Sequence, residues 1–474
     1  MSNYPTRLPL RGLVVAMAAT LLGACSMIPV FERPAAPVPA SFPQAAPAAS
    51  ASAAPLAEAL AWRDYFADER LRSVIALALD NNRDLRVAAL NIERARAQYG
   101  IQRADLFPSI AVSGGQSAQR VPADLSATRQ ADITRQYSAN LGFASYELDF
   151  FGRVRSLEEQ ALQTYLGTEE ARRSAQISLV AEVASSWLRL AADRERLALA
   201  RNTFETRKKS FELTQRSFEL GAVSALDLRQ AETLMQTARA DAARYAAVVA
   251  QDENALALVV GAGVPAELQP DALGARVAAV GELPAGVPAE VLARRPDILQ
   301  AERALMAANA SIGAARAAFF PRITLTASAG TASSALDGLF DGGSGAWSFV
   351  PQIRLPIFEA GRLQASLDVA EIQRDINVAQ YEKAIQSAFR EVADALAERA
   401  TLAEQLDARR KLVEAANKSF ELSEARYQGG VDSYLNLLDA QRSLYGAELE
   451  LIATRLADAT NRVALYKALG GGWQ

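Results

Sequence analysis

The sequence predicts an α+β membrane protein made of two copies of one large unit. Three observations predict it: an internal repeat, segments with period-two alternation, and very long segments without helix breakers. The segment Lys209–Leu213 (Lys-Ser-Phe-Glu-Leu) recurs 209 positions later at 418–422. An earlier segment, Asp84–Pro108, matches Asp297–Pro321 at a shift of 213. Repetition over such a length indicates a duplicated supersecondary unit, with four residues lost from the second copy.

Composition excludes several functions. The chain has 474 residues and a net charge of -4, which argues against a nucleic-acid footprint. It contains no histidine, the commonest general base and metal ligand. Its one cysteine allows no intramolecular disulfide and no Cys-rich zinc site. The sequence therefore predicts no catalytic residue, no metal site and no enzymatic activity.

Residues 1–24 are predicted to be a lipoprotein signal peptide. Two arginines precede an apolar run, Gly12–Ala24, of the length of a secretory signal core. The run ends Leu-Gly-Ala before Cys25, which predicts N-acyl and S-diacylglycerol groups on Cys25 and no other cofactor. The segment resembles a bacterial lipobox, and by the lipoprotein sorting pattern that it resembles, Ser26 in place of Asp favours the outer membrane. The alternative is an ordinary signal peptide with a chance cysteine. Residues 25–60, rich in Ala, Pro and Ser, are predicted to be a lipidated flexible leader.

The first copy, residues 61–261, begins with a predicted helix from Trp62 to about Phe107. Period-two alternation then predicts a hairpin over about 109–150, with strands Ser109–Gln119 and Tyr137–Phe150. The polar segment Arg120–Gln136 is its predicted loop. About ten alternating residues fit a strand with one lipid face and one lumen face, although a soluble hairpin alternates too.

The second copy, residues 296–474, repeats this order. Its hairpin is predicted over about 322–358, with strands Arg322–Ser333 and Trp347–Phe358. Pro296 suits the first position of its opening helix, and Asp297 suits the positive helix end. Residues 262–295 form the predicted inter-repeat equatorial linker, rich in Pro, Gly and Ala.

Each hairpin leads into a very long helix. Leu363–Tyr427 contains neither Gly nor Pro, and Val154–Phe218 contains one glycine. At about 1.5 Å per residue each helix would reach roughly 95 Å. The predicted turns follow at Gly221 and Gly430, with Ser224 and Ser433 as predicted N-caps of the returning helices. These returning helices are expected to run to Gly261 and Gly470.

The number of strands predicts an assembly. Four strands cannot close a barrel, and open strand edges cannot face lipid. Three copies related by threefold symmetry would supply twelve strands, enough to enclose a lumen. The sequence therefore predicts a homotrimer in which a twelve-stranded β-barrel, four strands per chain, continues into a long α-helical periplasmic barrel.

The chain resembles the outer-membrane efflux channels of the OprM/NodT lipoprotein type, which are related to TolC. The matching residues are Leu22–Cys25, Trp62, Tyr65, Phe66, Asp68, Asn82–Leu85, Leu283–Pro288, Arg294–Ile298, Ala314–Pro321, Gly430–Leu435, Leu438–Arg442 and Tyr466–Trp473. The resemblance implies a trimeric channel in the outer membrane of a Gram-negative bacterium, lipid-anchored and extending into the periplasm.

The resemblance also implies partners. They are a periplasmic membrane-fusion adaptor, an inner-membrane transporter of the resistance-nodulation-division class, and outer-membrane lipid. The implied function is passive conduction of drugs or other small molecules out of the cell. Two alternatives stay open: an exit channel for type I protein export, and a periplasmic adaptor lipoprotein, although an adaptor would carry one helical hairpin rather than a full duplication.

Departures from the repeat suggest the gate. Leu435 and Asp439 are four residues apart, hence on one helix face, and match the periplasmic constriction of the family. We expect them to line the aperture, with Tyr434 and Arg426 holding the closed state. Asp439 could instead be an ordinary solvated residue. The predicted adaptor-docking residues follow from the two turns: Gly221, Val223, Gly430 and Asp432. The charged stretch 207–209 is interpreted as a solvated face.

Overall fold

The structure, a computed structural model, describes residues 26–43, 60–274 and 289–473. The signal peptide, Cys25, residues 44–59 of the leader and residues 275–288 of the linker therefore lie outside the described residues. Each copy has the predicted order of elements. The first copy contains α1 (Trp62–Tyr65), α2 (Glu69–Asn81), α3 (Arg83–Ala104), β1 (Ala111–Val121), β2 (Asp132–Leu148), α4 (Arg153–Glu219) and α5 (Ala225–Val260). The second contains α6 (Pro296–Ala317), β3 (Arg322–Ser333), β4 (Gly345–Arg354), α7 (Arg362–Gln428) and α8 (Tyr434–Ala468).

Between the copies, the described residues form two 3-10 helices, Ala266–Leu268 and Ala289–Arg294. Pro296 opens α6, as predicted. No helix in the described part of the chain is both long enough and apolar enough to cross a bilayer.

The described residues form two compact units. The first consists of residues 26–35, 91–168 and 300–381 and contains the sheet. The second consists of residues 36–43, 60–90, 169–274, 289–299 and 382–473 and contains both helix turns.

The long helices α4 and α7 are each 67 residues long and begin and end within one residue of the predicted bounds. The prediction of one uninterrupted helix from Trp62 to about Phe107 was wrong. Asn82 separates α2 from α3, because its backbone is extended and its side-chain Oδ1 accepts a hydrogen bond from the Leu85 N–H at 2.8 Å. Its amide also donates to the Val259 carbonyl at 2.7 Å. Asparagine is a favoured N-cap, so the chain ends one helix and starts another there.

The sheet has the order β1-β2-β3-β4, with all neighbours antiparallel. β3 has the predicted bounds, but three strands differ. β2 begins at Asp132, five residues before the predicted start, so the first loop is shorter. β2 also contains an irregularity between Phe143 and Tyr146, where Ser145 has a φ of 56°. β4 spans Gly345–Arg354, so its predicted bounds were also wrong. Pro356, two residues after the end of the strand, has no N–H to donate to a hydrogen bond between strands.

An aromatic cluster joins the two ends of the second unit. The rings of Tyr65 and Tyr466 stack with centroids 3.9 Å apart, and both side chains are almost fully buried. Tyr466 donates its hydroxyl to the Leu60 carbonyl at 2.6 Å, and Tyr65 donates to the Arg462 carbonyl at 2.8 Å. Burial raises the pKa of both phenols. A Cβ at Gly471 would overlap the Tyr466 ring, which explains glycine at that position.

The predicted flexibility of the leader was wrong for residues 26–43. This segment has no helix or strand, yet it is held to the folded units by specific contacts. In the first unit, Arg33 forms a bidentate ion pair with the buried Glu302, at 2.8 and 3.0 Å. In the second unit, Phe42 is 3% exposed and stacks on Phe389 at 4.7 Å. Composition indicated a mobile leader because Ala, Pro and Ser dominate it. The side chains of Arg33 and Phe42 nevertheless contact the folded units.

Candidate functional site at the helix turns

The second turn, between α7 and α8, is closed by an ion pair. Arg426 donates through Nε and Nη2 to the two carboxylate oxygens of Asp432, at 2.6 and 3.1 Å. This interaction lowers the pKa of the Asp432 carboxyl and raises that of the guanidinium. Gly430 between them has a φ of 71°, in the left-handed region that favours glycine. The sequence assigned Arg426 to the gate and Asp432 to adaptor docking, whereas the structure brings them together.

The first turn, between α4 and α5, is closed differently. Gly221 has a φ of 74°, and Ser224 begins α5 with a reciprocal capping box. The Ser224 hydroxyl accepts from the Asp227 N–H at 3.2 Å, and the Asp227 carboxylate accepts from the Ser224 N–H at 3.1 Å. The corresponding residues of the second turn are Ser433 and Asn436. Ser433 precedes α8 as predicted, but its side chain makes no capping hydrogen bond.

Tyr434 belongs to a small apolar cluster beside the turns. The ring is 7% exposed and lies 5.2 Å from the Tyr427 ring. Burial raises the pKa of Tyr434 and of Tyr427. The cluster draws on both copies: Ala231, Tyr434, Leu437 and Leu438 form its centre, with Phe211, Leu234, Phe420 and Tyr427 packed against them. The helices that flank the two turns therefore pack on a shared hydrophobic centre.

The two predicted aperture residues are solvent-accessible on α8. Leu435 is 49% exposed, although it lies next to the buried Tyr434. Asp439 is exposed and forms an ion pair with Arg442 at 3.3 Å, one helical turn further on. An exposed leucine and an exposed carboxylate four residues apart form a stripe along one helix face. That these residues line an aperture stays a prediction, as does the docking role of Gly221, Val223, Gly430 and Asp432.

The interpretation of residues 207–209 as a solvated face was wrong for Arg207. Lys208 and Lys209 are exposed, but Arg207 is 5% exposed and its guanidinium lies 5.4 Å from the centre of the Tyr445 ring. Desolvation lowers the pKa of Arg207. Tyr445 in turn donates its hydroxyl to Asp241 at 3.3 Å. The partners lie in the other copy or on the returning helix, so the charge run alone contained no signal of this burial.

Two other residues of the site were not predicted from the sequence. Tyr427 and Arg442 contact Tyr434 and Asp439, respectively. A signal existed for both. Tyr427 replaces a phenylalanine of the first copy, Phe218, at the shift of 209, and Arg442 lies three residues after Asp439, within reach on one helix face.

Long helices, a four-stranded sheet and glycine turns define an outer-membrane channel of the TolC-like fold. Comparisons with known proteins support this class. The chain belongs to the outer membrane efflux protein family, which matches residues 74–262 and 287–471. The toluene efflux pump outer membrane protein TtgC of Pseudomonas putida is 54% identical over 463 residues, covering 97% of this chain and 95% of that protein. The outer membrane protein OprJ of Pseudomonas aeruginosa is 47% identical over 467 residues, covering 98% of this chain and 97% of its own.

A solved structure supports the same assignment. The chain is similar to the open state of the Neisseria gonorrhoeae MtrE outer membrane channel, with a TM-score of 0.84 and 41% identity over 95% of this chain and 99% of that chain. The predicted fold class, and the predicted function as the outer-membrane exit channel of an efflux pump, are confirmed.

Proposed function

We propose that three copies of this chain form a lipid-anchored duct that conducts small molecules passively out of the cell and is gated at its helix turns. The observation that supports the gate most directly is the difference between the two turns. The second turn presents exposed Leu435 and Asp439 beside a buried tyrosine and the Arg426–Asp432 ion pair. Under threefold symmetry these side chains would form a leucine ring and a carboxylate ring, as channel constrictions do.

The proposed partners are a periplasmic membrane-fusion adaptor and an inner-membrane transporter of the resistance-nodulation-division class. Relatives named as efflux-pump components support a multi-protein pump. The turns around Gly221 and Gly430 are the proposed adaptor contacts, because each presents exposed apolar residues that nothing within the described chain covers, notably Leu220 and Val431 at 85% and 64% exposure.

The cargo is proposed to be drugs, solvents or other small apolar molecules. The name of one relative specifies toluene. The proposed duct would conduct such molecules without altering them chemically. Deleting the gene and measuring minimum inhibitory concentrations of antibiotics and solvents tests this proposal. Sensitisation of the deletion strain that the intact gene reverses supports small-molecule efflux. Unchanged tolerance together with loss of a secreted protein would support type I protein export instead.

The lipid anchor and the trimer need separate measurements. Labelling with radioactive palmitate should mark the wild-type protein and leave Cys25→Ser unmarked. Because Arg33 and Phe42 fix the leader to the folded units, we expect Cys25→Ser to fold normally. Native mass spectrometry of the detergent-extracted protein should give three chains, and crosslinking in cells followed by purification should capture the adaptor.

A further inference from the structure

The two faces of the sheet differ in character. On β3 and β4 one face carries Trp347, Phe349 and Ile353, which are 81%, 57% and 69% exposed. The opposite face carries hydroxyl and amide side chains, including Ser328 and Ser348, whose hydroxyls are 2.9 Å apart across the two strands. A strand of an outer-membrane channel turns its apolar face to lipid and its polar face to the lumen. The polar face of this sheet is therefore the water-facing side of the proposed duct.

Charge on this polar face is concentrated at the end next to the helices. The strand registers place Arg322, Arg354 and Glu147 on it, and the only other charged side chain at a paired position of this face, Asp132, lies at the hairpin end. Arg153, at the start of α4, joins them by donating to both Glu147 oxygens at 2.9 and 2.7 Å. We call Glu147, Arg153, Arg322 and Arg354 the arginine cluster; it contains three guanidinium groups and one carboxylate.

The one carboxylate is already shared. Glu147 is mostly buried and also contacts the Arg322 Nε at 2.5 Å, so it serves two arginines at once. Arg354 lies directly opposite Arg322 in the strand register, is exposed, and forms no ion pair with any described residue. Like charges directly opposite each other across strands repel. The cluster therefore has excess positive charge, with Arg354 as the group free to meet a mobile anion.

The space beside the cluster admits such an anion. An open pocket of about 300 Å³ is lined by all four members of the cluster and by the stacked rings of Phe151 and Phe320. Nearby charges do not cancel the excess, because Glu359 is paired with Arg362 and Asp149 with Arg155. An apolar wall lowers the local dielectric and strengthens attraction between a guanidinium and an anion.

We propose that the arginine cluster makes the lumen attractive to anions where the sheet meets the helices, so that Arg354 raises the permeability of the open channel to anions relative to cations. This inference rests on the proposed trimeric duct, in which three clusters would form one ring of positive charge. Charged rings of this kind set selectivity in other pores. The ligand class is small inorganic and organic anions, which the guanidinium groups hold weakly during passage.

Reversal potentials in planar bilayers under a KCl gradient test the proposal. Arg354→Gln should lower the chloride-to-potassium permeability ratio by about twofold or more, and Arg354→Glu should lower it further, because each copy changes the ring by one or two charges. Arg354→Lys should retain the wild-type ratio, since it keeps the charge.

Arg135→Gln is the matched control. It removes the same charge from the same sheet, but its register places Arg135 on the opposite face, so the ratio should stay at the wild-type value. Conducting channels whose permeability ratio is the same for wild type, Arg354→Gln and Arg354→Glu would overturn the selectivity inference alone. Absence of conducting channels both in the wild type and in Arg426→Ala, which loosens the proposed gate, would overturn the proposed duct, so the two failures are distinguishable.

Discussion

Arg426 and Asp432 join the two sides of the second helix turn through two hydrogen bonds, at 2.6 and 3.1 Å. At the shift of 209 their counterparts in the first copy are Ser217 and Val223, which cannot form an ion pair. The duplication therefore gives one chain two turns of similar backbone, of which only the second is closed by charge. A charged closure depends on pH and salt, so the second turn is the one whose opening can be tested selectively.

The first prediction concerns this ion pair. Arg426→Ala should loosen the second turn, raise single-channel conductance and accelerate amide hydrogen exchange at residues 429–432. Ser217→Ala, at the equivalent position of the first copy, should change neither measurement. Equal effects of the two variants would show that the ion pair does not hold the turn.

The same pair has a defined pH dependence. Its interaction with Arg426 lowers the pKa of the Asp432 carboxyl below the usual 3.8. A carboxyl with a lowered pKa stabilises the structure above its unfolded pKa, and this contribution is lost as the pH falls through the folded pKa. Conductance of the wild type should therefore be unaffected by this pair down to about pH 4 and rise only below it, whereas Asp432→Asn should show the loosened turn already at pH 7.

The second prediction concerns the aperture. Leu435→Ala and Asp439→Ala should each raise single-channel conductance, by about twofold, because the first removes bulk from the proposed constriction and the second breaks the Asp439–Arg442 ion pair beside it. Leu226→Ala and Gln230→Ala are the matched controls, since they change the equivalent positions of the first copy. Unchanged conductance in the second-copy variants would contradict an aperture at these residues.

Sequence alone predicted the helices of this protein better than its strands. The ends of α4 and α7 were predictable because long segments without Gly or Pro end at glycine turns. The start of β2 at Asp132 was not predictable, because the alternation of apolar and polar residues is weak in the polar first residues of this strand. The break at Asn82 was missed because apolar periodicity continues on both sides of it, although asparagine there caps a helix.

The candidate site was predictable to the extent that it departs from the repeat. Comparing the copies selected Tyr434 and Asp439, and the structure gives both a defined neighbour. The Arg426–Asp432 pair was missed because its residues are six positions apart and would not meet on a continuous helix. They meet because the chain reverses direction at the turn that contains Gly430. Burial of Arg207 depends on Tyr445, 238 positions away, so no local pattern could indicate it.

The third prediction concerns two carboxyl groups in the second unit. Burial and the neighbouring Asp193, on α4, raise the pKa of Asp252, on α5, to about 6. Arg189 and Arg196 face the pair and oppose this shift, and Arg196 donates to Asp193 at 2.8 Å. A carboxyl with a raised pKa stabilises the fold while it is protonated, and the contribution is lost as the pH rises from its unfolded pKa near 3.8 through about 6.

Asp252→Asn should therefore raise the melting temperature at pH 7.5 by about 1–3 °C and flatten its change between about pH 4 and 6. The second copy supports the substitution, because its equivalent residue is the buried Asn461, which donates to the Ala395 carbonyl at 3.0 Å. Thermal unfolding followed by circular dichroism measures both effects. A variant with the same pH profile as the wild type would show that Asp252 is ionised throughout this range.

The fourth prediction concerns the leader, which composition indicated to be flexible. Phe42 is 3% exposed and its ring lies 25° from parallel to Phe389, so Phe42→Ala leaves a cavity in the second unit. Such a truncation costs about 3–5 kcal/mol when the site cannot collapse, and should lower the melting temperature and expose the leader to proteases. Val30→Ala is the matched control, because Val30 is 89% exposed in the same leader. Equal protease sensitivity of the two variants would mean that the aromatic contact does not hold the leader, and that its attachment depends on the Arg33–Glu302 ion pair of the first unit instead.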